Sequence, residues 1–145
     1  MILSIDPGKA TGVATYDADH GGFDSYEIEG RYALAGHVRV FGAWDEVVCE
    51  DFVISQRTIK TTPQKDPLRI IGWLDIWCEE LKIPFTLQTA GQAKSFATDA
   101  KLKHVGWFTK EGEGHANDAA RHLLVYLVAK YPQQAMKLLE GLDLS

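Results

Sequence analysis

Four side chains far apart in the chain, Asp6, Glu50, His115 and Asp118, are of types that bind hard divalent cations. Oxygen donors of this kind select magnesium, with manganese able to substitute. Two carboxylates on strands, joined by a carboxylate and a histidine on a helix, can converge on a pair of such ions. A two-metal site activates water and stabilises the leaving oxygen when a phosphodiester is attacked in line. Each residue also has a plainer reading. Asp6 opens Asp6-Pro7-Gly8, a strong turn tripeptide. Glu50 follows an apolar run, where a carboxylate is costly to bury unless paired or bound to a cation, unless the strand has simply reached solvent. Asp51 beside it points to the other face of the strand, so only one of the two shares a face with Asp6. His115 and Asp118 are three apart on one helical face, and Asp118 also suits a first-turn position against the helix dipole. His122 continues that stripe one turn on, and an exposed or packing role is expected for it.

These residues need elements to hold them. Residues 1–5 and 11–16 read as a hairpin with a turn at 7–10, and 23–28 alternates like a third strand. Residues 31–44 read as a helix with Tyr32, Leu34, Ala35, Val38 and Phe41 inward. Residues 46–52 form a buried-type strand that runs into Glu50, and 55–66 a polar loop. A helix then runs over 67–82, with Pro67 at its start and Asp66 as cap. It carries two apolar stripes, one of Ile71, Leu74, Cys78 and Leu81, the other of Ile70, Trp73 and Trp77. Covering one sheet needs only one stripe. The surplus points to a second packing partner, either another copy of the chain or a neighbouring helix. Residues 84–88 read as a fifth strand, 91–99 as a short helix, 111–114 as a flexible break, 115–130 as a long helix and 132–139 as a last short one. This order implies an α/β domain with a mixed sheet, antiparallel at its start and extended through helical crossovers.

The chain has 145 residues and 46% hydrophobic content, enough for one domain, 1–145, with a real core. No apolar run is long enough to span a membrane. The opening MILSID has no basic leader, so neither a signal nor a transit peptide is expected. Cys49 and Cys78 read as reduced core thiols of a cytoplasmic protein. The net charge of −5 argues against generic nucleic-acid binding. Carboxylates that hold cations explain part of it. The positive charge is also clustered, with Arg57, Lys60, Lys65 and Arg69 in one stretch and Lys94, Lys101, Lys103 and Lys110 in another. Local patches govern phosphate contact more than the total does.

At the chemistry-bearing positions the sequence resembles the RuvC family of Holliday junction resolvases, within the ribonuclease H-like superfamily. Ile2-Leu3-Ser4-Ile5-Asp6-Pro7-Gly8 with Thr11-Gly12-Val13-Ala14 is similar to that family's opening strand pair. Val48-Cys49-Glu50 resembles its second motif, and His115-Ala116-Asn117-Asp118-Ala119-Ala120 its third. The run from Gly114 to Arg121 is worded like bacteriophage members, which would act in the cytoplasm of a bacterial host. The resemblance implies a five-stranded mixed sheet flanked by helices, and a homodimer that nicks two strands of a four-way DNA junction. It implies metal-site roles for Asp6, Glu50, His115 and Asp118, and contact of Lys94 or Lys101 with the scissile phosphate. DNA contact is expected for Arg57, Lys60, Lys65, Lys94, Lys101 and Lys103, and dimer contact for Ile70, Trp73 and Trp77. In the family a glutamine and then an aromatic wedge follow the glutamate; here Asp51 and Phe52 follow it, so the aromatic is displaced.

Three rival readings share parts of this pattern. The opening motif also resembles the phosphate loop of actin-like ATPases and sugar kinases, which need two large lobes and leave His115 and Asp118 unexplained. A non-catalytic module that grips branched DNA has no use for so many carboxylates. A nuclease of the same superfamily acting on RNA, or on other branched DNA, stays open at this level.

Overall fold

Side-chain alternation sorts the apolar residues of five strands onto the two faces of one sheet. The computed structural model describes residues 1–53 and 65–142. Strands β1 (Ile2–Asp6), β2 (Ala10–Tyr16), β3 (Phe23–Glu29), β4 (Glu46–Glu50) and β5 (Phe85–Gln88) lie in the order β3-β2-β1-β4-β5. The first three form an antiparallel meander. β4 and β5 add to the other edge in parallel, as the expected crossovers require.

On one face Leu3, Ile5, Val13, Val47 and Cys49 pack against α1 (Arg31–Phe41) and α2 (Lys65–Leu81). On the other, Ile2, Ala14, Tyr16 and Val48 meet α5 (His115–Lys130), with α3 (Ala90–Phe96), α4 (Asp99–Val105) and α6 (Pro132–Leu138) around it. Leu123, Leu124 and Leu127 of α5 are fully buried, each contributing about 1.5–3 kcal/mol. The first turns of α5 instead present Ala116, Ala119 and Ala120, whose small side chains bring the helix close to the sheet. The Ser4 hydroxyl, buried on β1, donates to the Ala119 carbonyl at 2.7 Å. Cys49 and Cys78 are free and buried. Among the described residues no helix is long and apolar enough to cross a membrane.

Local departures from the sequence reading have physical causes. In α1 only Leu34 and Val38 are buried. Tyr32 lies about 200° around the helix from Leu34 and is 79% exposed. Phe41 is the last helical residue and packs beside the His37 ring instead of the sheet. α2 begins at Lys65, so Asp66 sits inside the first turn rather than capping it, and accepts from Arg31 at 3.2 Å. Neither expected stripe of α2 faces the sheet alone. The seam between them does, through Pro67, Ile70, Leu74 and Cys78. The segment expected as one helix over 91–99 is α3 followed by a break. There Thr98 accepts from the Lys101 N–H and starts α4, which the sequence reading did not anticipate.

Candidate active site

Asp6 and Glu50 end two adjacent parallel strands, one step beyond the Ile5–Cys49 pair, and Gln88 lies beside Glu50 in register on β5. Asp6, Glu50 and Gln88 all turn toward α5. Its first two turns present His115, Asp118 and His122 at helical spacing, directly above this row. His115 Nδ1 lies 3.2 Å from Asp6 Oδ2, and His122 Nε2 lies 3.3 Å from Glu50 Oε1.

The helix is fixed at this height by contacts with the meander. Gly12 pairs with Asp6 in the β1–β2 ladder, and only its missing side chain lets the His115 carbonyl come so near. Glu27 on β3 accepts backbone N–H bonds from Glu113 at 3.1 Å, His115 at 2.9 Å and Ala116 at 3.4 Å. Burial opposes the charge on Glu27, but these donors outweigh it and hold its carboxyl below the usual range. The carboxylate therefore does the capping that Gly114 has no side chain to do. Gly112, at φ 75°, lies so close that a Cβ there would stand 2.6 Å from the Glu27 carboxylate. The run expected as a loose break thus wraps an anion.

A cleft of about 700 Å³ opens over the ends of the strands. Asp6, Glu50, His115 and Asp118 all line it, together with Glu27, Glu29, Asp66 and Glu113. Against these seven carboxylates stand two lysines, Lys9 and Lys94. Asp6 is only 4% exposed. Burial pushes its carboxyl up to about 8, the His115 hydrogen bond pulls it back, and the neighbouring Glu50 adds to the rise. Burial also opposes the charge on Glu50, yet the His122 imidazole, the Asp6 carboxyl and Lys94 bring it down to about 2. Burial thus favours the neutral form of Asp6, and its neighbours favour the charged form of Glu50. His115 is raised, chiefly by its hydrogen bond to Asp6.

The donor set fits hard divalent cations. A buried carboxyl, kept neutral by its own surroundings beside an ionised one, is stabilised in its charged form by a cation. Among the described residues no group of three or more His, Cys, Asp or Glu side chains is arranged to hold a metal ion. Each candidate ligand is engaged elsewhere, Asp6 with His115, Glu50 with His122, and Asp118 with Arg121 Nε at 3.2 Å.

The basic residues divide. Lys94 lines the cleft and an adjoining groove with Thr98, Asn117 and Arg121. The Lys101 ammonium donates to the Phe96 carbonyl at 2.9 Å and lies 3.9 Å from that ring's centroid, away from the cleft lining. Lys103 lies over Phe108, and Lys65 is exposed at the start of α2. Arg57 and Lys60 lie outside the described residues. Of the residues expected at a dimer contact, Ile70 turns inward and is 2% exposed, whereas Trp73 and Trp77 stack on each other half-exposed.

Four contributors were not foreseen. His122, expected at the surface or in packing, is 1% exposed and faces Glu50. Arg121 also donates to the Ala97 carbonyl at 2.8 Å and Asp99 at 2.5 Å, tying Asp118 to the α3–α4 corner. Glu27 and Gly12 act across the sheet. For His122 the helical stripe was a readable signal; for Gly12 it was a glycine inside a β-prone run.

No family model matches the sequence, and no curated protein matches it in sequence. Among solved structures, that of the T. thermophilus RuvC in complex with Holliday junction substrate is similar, with a TM-score of 0.62 and 13% identity. The match covers 90% of this chain and 94% of that chain. With the strand order above, it shows a ribonuclease H-like fold, the five-stranded mixed sheet flanked by helices that the motifs implied.

Proposed function

We propose that this chain is a divalent-metal-dependent nuclease that resolves four-way DNA junctions by paired nicks, working as a homodimer. One observation carries the reading. Three carboxylates and a histidine, from β1, β4 and α5, line one acidic cleft in a fold similar to that of a protein solved on a Holliday junction.

In this reading Asp6, Glu50, Asp118 and His115 would hold two magnesium or manganese ions. When bound, such ions lower the pKa of water, polarise the phosphoryl oxygen and stabilise the leaving oxygen. The chain's own part is placement. Asp6 and Glu50 come from rigid neighbouring strands, and Asp118 from a helix pinned at its first turn by Glu27. A cation held at Asp6 would stabilise the charged form that burial disfavours there. Lys94, which lines the cleft, would contact the scissile phosphate, and Lys101 and Lys103, outside that lining, would contact flanking DNA. Phe52, half-buried on the same wall, is the aromatic available to stack on a base at an opened junction. Trp73 and Trp77 would supply the apolar face for the second copy, with the exposed Ile76 beside them.

The test is cleavage of four-way, three-way, flap and linear DNA with magnesium, comparing the parent with Glu50→Gln. Paired nicks in the four-way junction, lost in the variant, are expected. Absence of cutting, or equal cutting by both proteins, would remove the reading.

A further inference from the structure

We propose that His122, backed by Gln88, is a positioning residue that fixes the Glu50 carboxylate for cation binding; this rests on the nuclease reading above. The imidazole is sealed inside the domain at 1% exposure, between β4, β5 and α5. Nδ1 lies 3.1 Å from Gln88 Oε1, itself on a residue 8% exposed. Nε2 lies 3.3 Å from Glu50 Oε1 but makes no aligned hydrogen bond, and it is the one buried side-chain polar atom without a partner among the described residues.

A neutral imidazole has one donor and one acceptor. If Nδ1–H donates to the Gln88 oxygen, Nε2 turns a lone pair toward the Glu50 carboxylate, an arrangement that repels. Turning the Gln88 amide through 180° resolves this. Its NH2 then donates to Nδ1, and Nε2 carries a hydrogen facing the Glu50 oxygen 3.3 Å away rather than a lone pair. A carboxylate held from behind by such a donor keeps its remaining lone pairs directed into the cleft. Gln88 is in register with Glu50 on the next strand, so the sheet itself sets the spacing of the relay. A leucine would fill the same volume, which makes a packing role separable from a positioning one.

The experiment is manganese binding to the full chain by titration calorimetry, alongside kcat and KM for junction cleavage. Variants are His122→Leu, His122→Gln, which keeps a donor near the Nε2 position, and Gln88→Leu. His122→Leu is expected to bind manganese about ten- to a hundredfold more weakly. It should also lower kcat with KM for the junction little changed. His122→Gln is expected to recover much of both, and Gln88→Leu to fall between. Should His122→Leu not fold, the other two decide the matter: both matching the parent in manganese affinity overturns the proposal. Folded His122→Leu with parental manganese affinity also overturns it and leaves the nuclease reading intact. A parent chain that binds no manganese overturns the nuclease reading and this inference together.

Discussion

A Cβ on Gly12 would stand 1.9 Å from the carbonyl oxygen of His115 and 3.0 Å from the amide nitrogen of Ala116. The strand partner of Asp6 therefore sets how low the helix carrying His115 and Asp118 can sit. Both obstacles are backbone and cannot rotate away. Gly12→Ala should cost about 1–3 kcal/mol through overpacking and lower cleavage further by lifting α5. Denaturant unfolding without metal checks the first part, and a variant as stable as the parent would contradict it.

Asp6 gives the metal-free chain a pH dependence of known sign. Its folded carboxyl stands at about 8 against an ordinary 3.8, so the folded state retains a proton that the unfolded state has lost. Stability therefore falls as pH rises from about 4 to about 8. Glu50 acts in the opposite sense at lower pH. Held at about 2 against 4.5, it contributes stability that is complete above 4.5 and lost as pH falls toward 2. Asp6→Asn should remove the decline between about pH 5 and 8 in thermal melts with chelator, and abolish cleavage while junction binding survives. A parental slope in that variant would show that Asp6 is not the group responsible.

Arg121 holds Asp118 by a fork that also reaches Ala97 and Asp99. Lysine cannot make these three contacts at once. Arg121→Lys should lower stability by about 1.5–3 kcal/mol and reduce kcat, since Asp118 loses its tether. Chemical denaturation and steady-state cleavage measure the two effects. Unchanged values for both would make the fork incidental.

The two lysines are separable. Lys94→Ala should depress cleavage strongly and flatten the salt dependence of junction binding by about one unit of slope. Lys101→Ala should leave the chemical step near the parental rate, because its ammonium is engaged with Phe96. Equal loss of single-turnover rate in the two variants would contradict this division.

Sequence patterns carried the fold a long way, for identifiable reasons. Asp6 and Glu50 were legible because each ends an apolar strand, and strand alternation placed Asp51 away from Glu50. Helical spacing put His115 and Asp118 on one face, and the resemblance supplied the roles expected of them. What stayed hidden depends on contacts between elements. Periodicity counts apolar residues around α2 but cannot say that the sheet meets the seam between two stripes, which turns Ile70 inward. Glu27 looks like any surface strand glutamate until the start of α5 lies above it. His122 looks like a surface histidine until Gln88 and Glu50 enclose it. Each of these depends on tertiary distances that no local pattern encodes.

Side chains separated by more than a hundred residues are expected to share cations in one cleft. Crystals soaked in manganese and measured at its absorption edge address this directly. Two anomalous peaks about 3.5–4 Å apart, bounded by Asp6, Glu50, His115 and Asp118, are expected. A cleft without anomalous density at millimolar manganese would contradict the account.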